Sequence, residues 1–354
     1  MGVKLKRFLH KFFKIFIIFM LVTLAINLII LAALYGNHKS KMKKESVYMY
    51  EPGEMVEIDG HKVHLYESGN LDSEKTIVFL HGGLSVDDSI ALQPLFAELS
   101  EYHLVYIDRT GYGFSLSAGV EKDIDSILEE TRSVLKKAGI SGPYILAASG
   151  SAGVEAVYWA HTYKDEVEAI IGMDMNYPEQ FESTTTEDYA GFFDYMMVKF
   201  CSIGGMRLMK NSMPNDIRGI YTEMQMATRN ALVAQRAYTQ DMFEENESTV
   251  ENAAKVNALG WPEEMPMLML LANPIMEPYI NDDESVKKTF DKILDDADEY
   301  DYVSMYNQMS KEYYAQFKNV TVEELSGPSR LYTYCPKEVA ERIKAYIGDN
   351  LNKD

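Results

Sequence analysis

Residues 144–156 read YILAASGSAGVEA. A short apolar run enters a turn of small residues and leaves as a helix. That is the shape of a nucleophile elbow, a sharp strand-to-helix turn that lifts a serine hydroxyl above a sheet. A serine so placed needs a base to take its proton and a carboxylate to orient the base. Two serines, Ser149 and Ser151, flank Gly150 here, so the stretch raises the question of which of the three stands at the nucleophile's position.

The elements that must position this turn are legible on both sides of it. Val56–Tyr66 reads as a hairpin turning at Asp59-Gly60, and Thr76–Leu80, His103–Ile107, Tyr144–Ala148 and Val167–Met173 read as buried strands. Asp123–Ala138 has Ile124, Ile127, Leu128, Val134 and Leu135 at helical spacing, and Gly153–Tyr163 reads as a helix. Strands alternating with helices predict a parallel sheet covered on both faces. Residues 177–262 break the pattern: they are rich in Met, Tyr and Glu and suit several amphipathic helices. Pro266–Ala272 and Val320–Leu325 then read as strands, and Lys337–Leu351 as a last helix. The expected organisation is a basic segment 1–14, an apolar span 15–35, a linker 36–53, core 54–176, a helical insertion 177–262 and core 263–354.

Charge is split along the chain. Residues 1–44 carry nine Lys/Arg and no acid, leaving 25 of the 34 basic residues against all 54 acidic ones, a balance of −29 over the remainder. So acidic a body lacks the clustered cations that phosphate contacts require, which excludes nucleic acid as a partner. Ile15–Tyr35 has only Thr23 and Asn27 as polar interruptions; at 1.5 Å per residue it reaches roughly 31 Å, the thickness of a bilayer's hydrocarbon core. An uncleaved anchor is expected rather than a signal peptide, whose apolar region is shorter, although Ala32-Ala33 is a candidate cleavage site. Five Lys/Arg precede the span and four follow it, which favours a cytoplasmic N-terminus and a globular body outside the cell membrane. Two cysteines, Cys201 and Cys335, do not make a disulfide framework, and no CxxC or HExxH spacing occurs, so neither metal nor cofactor is expected.

Three stretches together resemble the α/β-hydrolase superfamily: FLHGGLS at 79–85, DRTGYGFS at 108–115 and the elbow at 149–156. The resemblance runs from about Lys62 to Asp174 and resumes from Pro266 to Ile347, and the insertion between them matches the family's variable cap. It implies a mostly parallel sheet flanked by helices. It also implies an oxyanion hole from the backbone N–H groups of Gly83 and Ser151, and His81 and Gly82 beside the pocket. Aligned without gaps on a membrane-associated subgroup whose motif reads His-Ser-Met-Ser-Gly-Leu-Glu-Ala, the chain has Gly150 where the family has its serine. A second register, reading Ser149-x-Ser151-x-Gly153 as the family's Gly-x-Ser-x-Gly, makes Ser151 the nucleophile but requires one extra residue in the strand. Glycine adopts freely the positive φ that strains other residues at an elbow, which favours the first register.

The family's histidine follows the last strand, and counting back from Pro336 its position falls on Ser329. The seven histidines are His10, His38, His61, His64, His81, His103 and His161, so none lies in the C-terminal half. The family's acid is expected after the Pro266–Ala272 strand, where Glu277, Asp282 and Asp283 are the candidates. Three functions follow as expectations: a membrane-anchored protein that has lost the triad and binds a small molecule or peptide in a capped pocket; a serine hydrolase using Ser151 or Ser149 with a non-standard base; and a surface interaction protein whose partner the residues do not name.

Overall fold

Eight strands form one sheet in a computed structural model that describes residues 2–80, 82, 83, 85–216, 219–273, 297–327 and 329–352. In chain order the elements begin with a long helix α1 (Val3–Glu45), the hairpin β1 (Glu54–Ile58) and β2 (His61–Gly69), and β3 (Thr76–Leu80). Two short helices, α2 (Asp88–Ala91) and α3 (Gln93–Glu98), lead to β4 (His103–Asp108), α4 (Ile124–Ala138), β5 (Tyr144–Gly150), α5 (Ala152–Thr162) and β6 (Val167–Met175). The insertion holds α6 (Thr186–Tyr189), α7 (Phe192–Ser202), α8 (Glu223–Arg236) and α9 (Gln240–Asn257), with no strand among its described residues. The chain closes with β7 (Met267–Asn273), α10 (Ala297–Tyr314), β8 (Val320–Ser326), α11 (Leu331–Tyr334) and α12 (Pro336–Asn350).

Strand order is β1-β2-β4-β3-β5-β6-β7-β8. The pairings β1–β2 and β2–β4 are antiparallel and the rest parallel. The central strands are mostly apolar on both faces because both faces are covered, and their side chains alternate between two cores. Val78, Leu80, Leu146, Ala148, Met267 and Met269 enter the core that contains Trp159 of α5. Ile77, Phe79, Ile145, Ala147, Leu268 and Leu270 enter the opposite core against α3 and α12. A register slip of one residue would exchange the two sets, so burial itself holds the register. Local signals agree: the Asp123 carboxylate accepts the N–H groups of Asp125 and Ser126 to start α4, and Gly139, at φ 78°, ends it.

The DRTGYGFS stretch is tied down from within. Asp108 accepts from the Phe114 N–H (3.1 Å) and pairs with His64 Nδ1 (2.7 Å), while His64 Nε2 meets the Pro52 carbonyl. Ser115 Oγ accepts the His64 N–H and donates to the Asp108 carbonyl. Burial alone would lower the His64 pKa, but two acceptors on one ring, Asp108 foremost, raise it. This histidine therefore braces the fold.

At the N-terminus α1 is one continuous helix of 43 residues, about 65 Å long at 1.5 Å per residue. It is long and apolar enough to cross a membrane. The expected linker from residue 36 is corrected over its first ten residues, which remain helical through Glu45. The reason is docking on the insertion. Arg207 donates to both Glu45 carboxylate oxygens (2.5 and 2.7 Å) and to His38 Nδ1 (3.1 Å), and Gln235 donates to Glu45 (2.8 Å).

Candidate functional site

The backbone decides where the elbow's bend falls. Gly150 has φ 52°, whereas Ser151 has φ −62° and ψ −18°, already the right-handed helical conformation that α5 continues. Glycine stands at the one strained position of the turn, where another residue would cost about 1–3 kcal/mol. There is room for a side chain all the same, since a Cβ built on Gly150 meets nothing nearer than Asn176 Oδ1 at 3.9 Å. Around it the packing is backbone on backbone. A Cβ on Gly82 would lie 1.9 Å from the Ser149 carbonyl oxygen, and one on Gly153 2.0 Å from the Asn176 carbonyl oxygen. The loop after β3 and the end of β6 therefore clasp the elbow from two sides. Gly83, at φ 71°, is brought against Ser151, whose Oγ would be 3.8 Å from an added Cβ.

Ser149 and Gly150 open onto a cavity of about 480 Å³ lined also by Gly82, Ser85, Asp174, Asn176, Tyr306 and Ser329. Ser151 lines instead a space of about 30 Å³ beneath the start of α5, beside Arg109, Glu155 and Glu245. The two candidate serines thus face different environments.

On the strand paired with the elbow's own strand lies a carboxylate that sequence reasoning missed. Asp174 sits at the end of β6 with φ 55° and is buried. Its Oδ2 accepts a hydrogen bond from Ser329 Oγ at 2.5 Å, and its Oδ1 accepts the Ala272 N–H at 3.2 Å. Burial raises its pKa, and the Ser329 hydroxyl and the Ala272 N–H only partly offset this. Glu277, Asp282, Asp283 and His81 lie outside the described residues. The signal for Asp174 was present as the lone acid in the apolar run AIIGMDM, at the carboxyl end of a parallel strand, where α/β sheets bind ligands.

Beside Ser329, Arg330 also adopts a left-handed conformation, φ 65°. Its Nη2 donates to Asp88 Oδ1 (2.7 Å), Asp87 Oδ1 (3.3 Å) and Ser85 Oγ (3.1 Å), and its Nε donates to the Tyr332 hydroxyl (3.0 Å), which donates in turn to Asp88 (3.0 Å). Asp87 also accepts from Arg229 Nε of α8 at 2.7 Å. Burial would raise the Asp87 pKa; the Arg330 and Arg229 charges hold it below the usual carboxylate value. This network pins the Ser329–Arg330 loop to α2 and to the insertion. On the cavity's other side, Asn176 donates to the Tyr306 hydroxyl of α10 (2.9 Å).

Among the described residues no histidine lines the cavity. His61 faces Glu130, His103 bonds Glu67, and His161 meets the Gly260 carbonyl. Among the same residues no group of His, Cys, Asp and Glu is placed to hold a metal, and Cys201 and Cys335 are buried free thiols. The site therefore offers one carboxylate, several hydroxyls and a salt-bridged guanidinium around an open, partly apolar space.

No protein-family model matches the chain. It is similar to an uncharacterized protein of Bacillus subtilis (strain 168), YbdG, at 28% identity over 324 residues covering 89% of this chain and 91% of that one. Among solved structures it resembles lip1 from Acinetobacter baumannii AYE (TM-score 0.57, 15% identity, 89% of this chain and 97% of that one). It also resembles DBJA (TM-score 0.56, 13% identity, 85% and 100%). A haloalkane dehalogenase loop variant, DbeA-M1 from Bradyrhizobium elkanii, matches at TM-score 0.50 with 14% identity over 84% and 96%.

The chain has the α/β-hydrolase fold.

In an α/β-hydrolase the nucleophile, acid and histidine follow one another along the chain. Gly150, Asp174 and Ser329 fall in that order and converge on one cavity.

Proposed function

We propose that this is a membrane-anchored α/β-hydrolase-fold protein that has lost the nucleophile and the base of its triad and binds a small molecule or peptide in a capped pocket. Gly150 stands in the nucleophile's place, Asp174 is the retained acid, and Ser329 replaces the histidine. The observation that carries the reading is the Ser329–Asp174 hydrogen bond beside a positive-φ Gly150 in the same cavity. The acid still orients the residue at the base position, but that residue is a hydroxyl with no affinity for a proton near neutrality. Without a base a serine stays protonated and weakly nucleophilic, and loss of triad members removes several orders of magnitude of rate. The insertion serves as the cap, and Gly83 with Ser151 as the remains of the oxyanion hole. Ser149 lines the cavity and is the serine through which a hydrolase reading would operate.

The test is a fluorophosphonate serine probe applied to the purified full-length protein, with labelled sites mapped by mass spectrometry. The wild-type chain is expected to stay unlabelled, and the Gly150→Ser, Ser329→His double variant to react at residue 150. Labelling of wild-type Ser149 or Ser151, abolished by the matching alanine substitution, would overturn the proposal in favour of an unconventional enzyme.

A further inference from the structure

Two adjacent phenylalanines on the insertion have almost no protein around them. Phe193 is 81% exposed and Phe192 72%, more than any large apolar residue of the 15–35 span. Both begin α7, whose exposed positions continue at Tyr195, Met196 and Lys199. Residues 192, 196 and 199 fall on one helix face by their i, i+4, i+7 spacing. The opposite face is occupied, with Val198 buried and Cys201 packed against Met206 and Met242. So α7 is amphipathic with its second apolar face uncovered.

The other end of α7 leads straight to α1. Just past Ser202, Gly204 lies so close to His38 that an added Cβ would be 2.6 Å from the His38 Cβ. His38 is one helical turn beyond Tyr35, where the apolar run of α1 ends. Arg207, clamped to Glu45 and His38, fixes this contact, and Leu208 beside it is 58% exposed. The charge also changes here. Residues 192–213 hold three cations, Lys199, Arg207 and Lys210, against one acid, Asp194, in a body that is otherwise strongly acidic, and Lys39, Lys41, Lys43 and Lys44 follow the span on α1. Aromatic side chains and cations on an element whose far end docks one helical turn past an apolar span suit the headgroup region of an anionic bilayer.

We infer that the exposed face of α7, led by Phe192, Phe193 and Met196 with Lys199, is a second membrane contact that lies in the headgroup layer of the same bilayer that α1 crosses. This rests on the reading of α1 as the anchor. The contact holds the insertion down on the lipid surface.

The test uses the full-length protein reconstituted in phosphatidylcholine–phosphatidylglycerol vesicles, with an environment-sensitive fluorophore on a single introduced cysteine. Cys201 and Cys335 are buried and stay unlabelled in the folded protein. Three variants are compared: Phe193→Cys on α7, Leu24→Cys inside the span, and Ala345→Cys on the exposed side of α12. The expected result is loss of emission at residue 193 with lipids carrying a shallow quencher, at residue 24 with a deep quencher, and at residue 345 with neither. Reversing charge with Lys199→Glu and Lys210→Glu should weaken the quenching at residue 193, as should replacing phosphatidylglycerol by phosphatidylcholine. Quenching at residue 24 without any at residue 193 would overturn this inference and leave the anchor standing. No quenching at residue 24 would overturn the anchor itself, and this contact with it.

Discussion

Asp174 and Ser329 show how a single hydrogen bond can be read. The Asp174 pKa is raised by burial and pulled back by the Ser329 hydroxyl and the Ala272 N–H. A carboxyl whose folded pKa exceeds its unfolded value of about 3.9 binds more protons folded than unfolded between those two values. Its contribution to stability is therefore full below the unfolded value and declines as pH rises through the folded one. Asp174→Asn should flatten that decline, which melting curves of the protein in detergent across the acidic range would record. Ser329→Ala removes the donor and leaves a buried acceptor half satisfied, a loss of about 1–3 kcal/mol in denaturant unfolding. The loss should be larger at neutral than at acidic pH, because hydrogen bonds to an ionised carboxylate are the stronger ones. An equal loss at both would mean that Asp174 stays protonated throughout.

Among elements, the junction between core and insertion depends on Arg109. Its Nη2 donates to Glu155 of α5 at 2.7 Å and its Nη1 to Glu245 of α9 at 2.8 Å. Burial, more than any other influence, raises the Glu155 pKa, with Arg109 opposing it. Removing one member of a buried ion pair costs more than the pair itself contributes, about 3–5 kcal/mol. Arg109→Met should therefore destabilise the protein by that order and release the insertion first. Limited proteolysis would show new cleavage within residues 177–262 while the sheet persists. Cleavage spread equally over core and insertion would show that the two open together. The strands, α4 and α5 were legible because apolar periodicity and capping residues are local signals. Short α2 and α3 were not, since six residues or fewer carry too little periodicity, and their burial comes from β3, β4 and α12.

For the whole molecule, α1 sets the geometry. Its apolar length suits a bilayer, and its polar end is clamped to α8 and the turn after α7 through Gln235 and Arg207. The full-length protein should stay in the membrane pellet after alkaline carbonate washing, while a chain with charged residues replacing Leu24 and Ile26 should be released; release of the wild-type chain would show that α1 does not cross. The docked helix end also means that the body does not swing freely on a tether. Sequence offered no sign of this, because Glu45 and Arg207 are 162 positions apart and each reads locally as an ordinary surface charge.

The order of strands and helices, the apolar span, the acidity of the body and the lack of any histidine after residue 161 belong to the sequence alone. They depend on local patterning and on counting, which no folding can alter. The choice between two elbow registers was beyond it, because both serines border the same glycine; in the fold the left-handed turn falls on Gly150, at φ 52°. The partner of Ser329 was likewise a tertiary matter, since Asp174 reaches it across 155 positions of the chain. Contacts of that kind arise only when the sheet brings the carboxyl ends of β6 and β8 to one edge, and that edge is where the cavity lies.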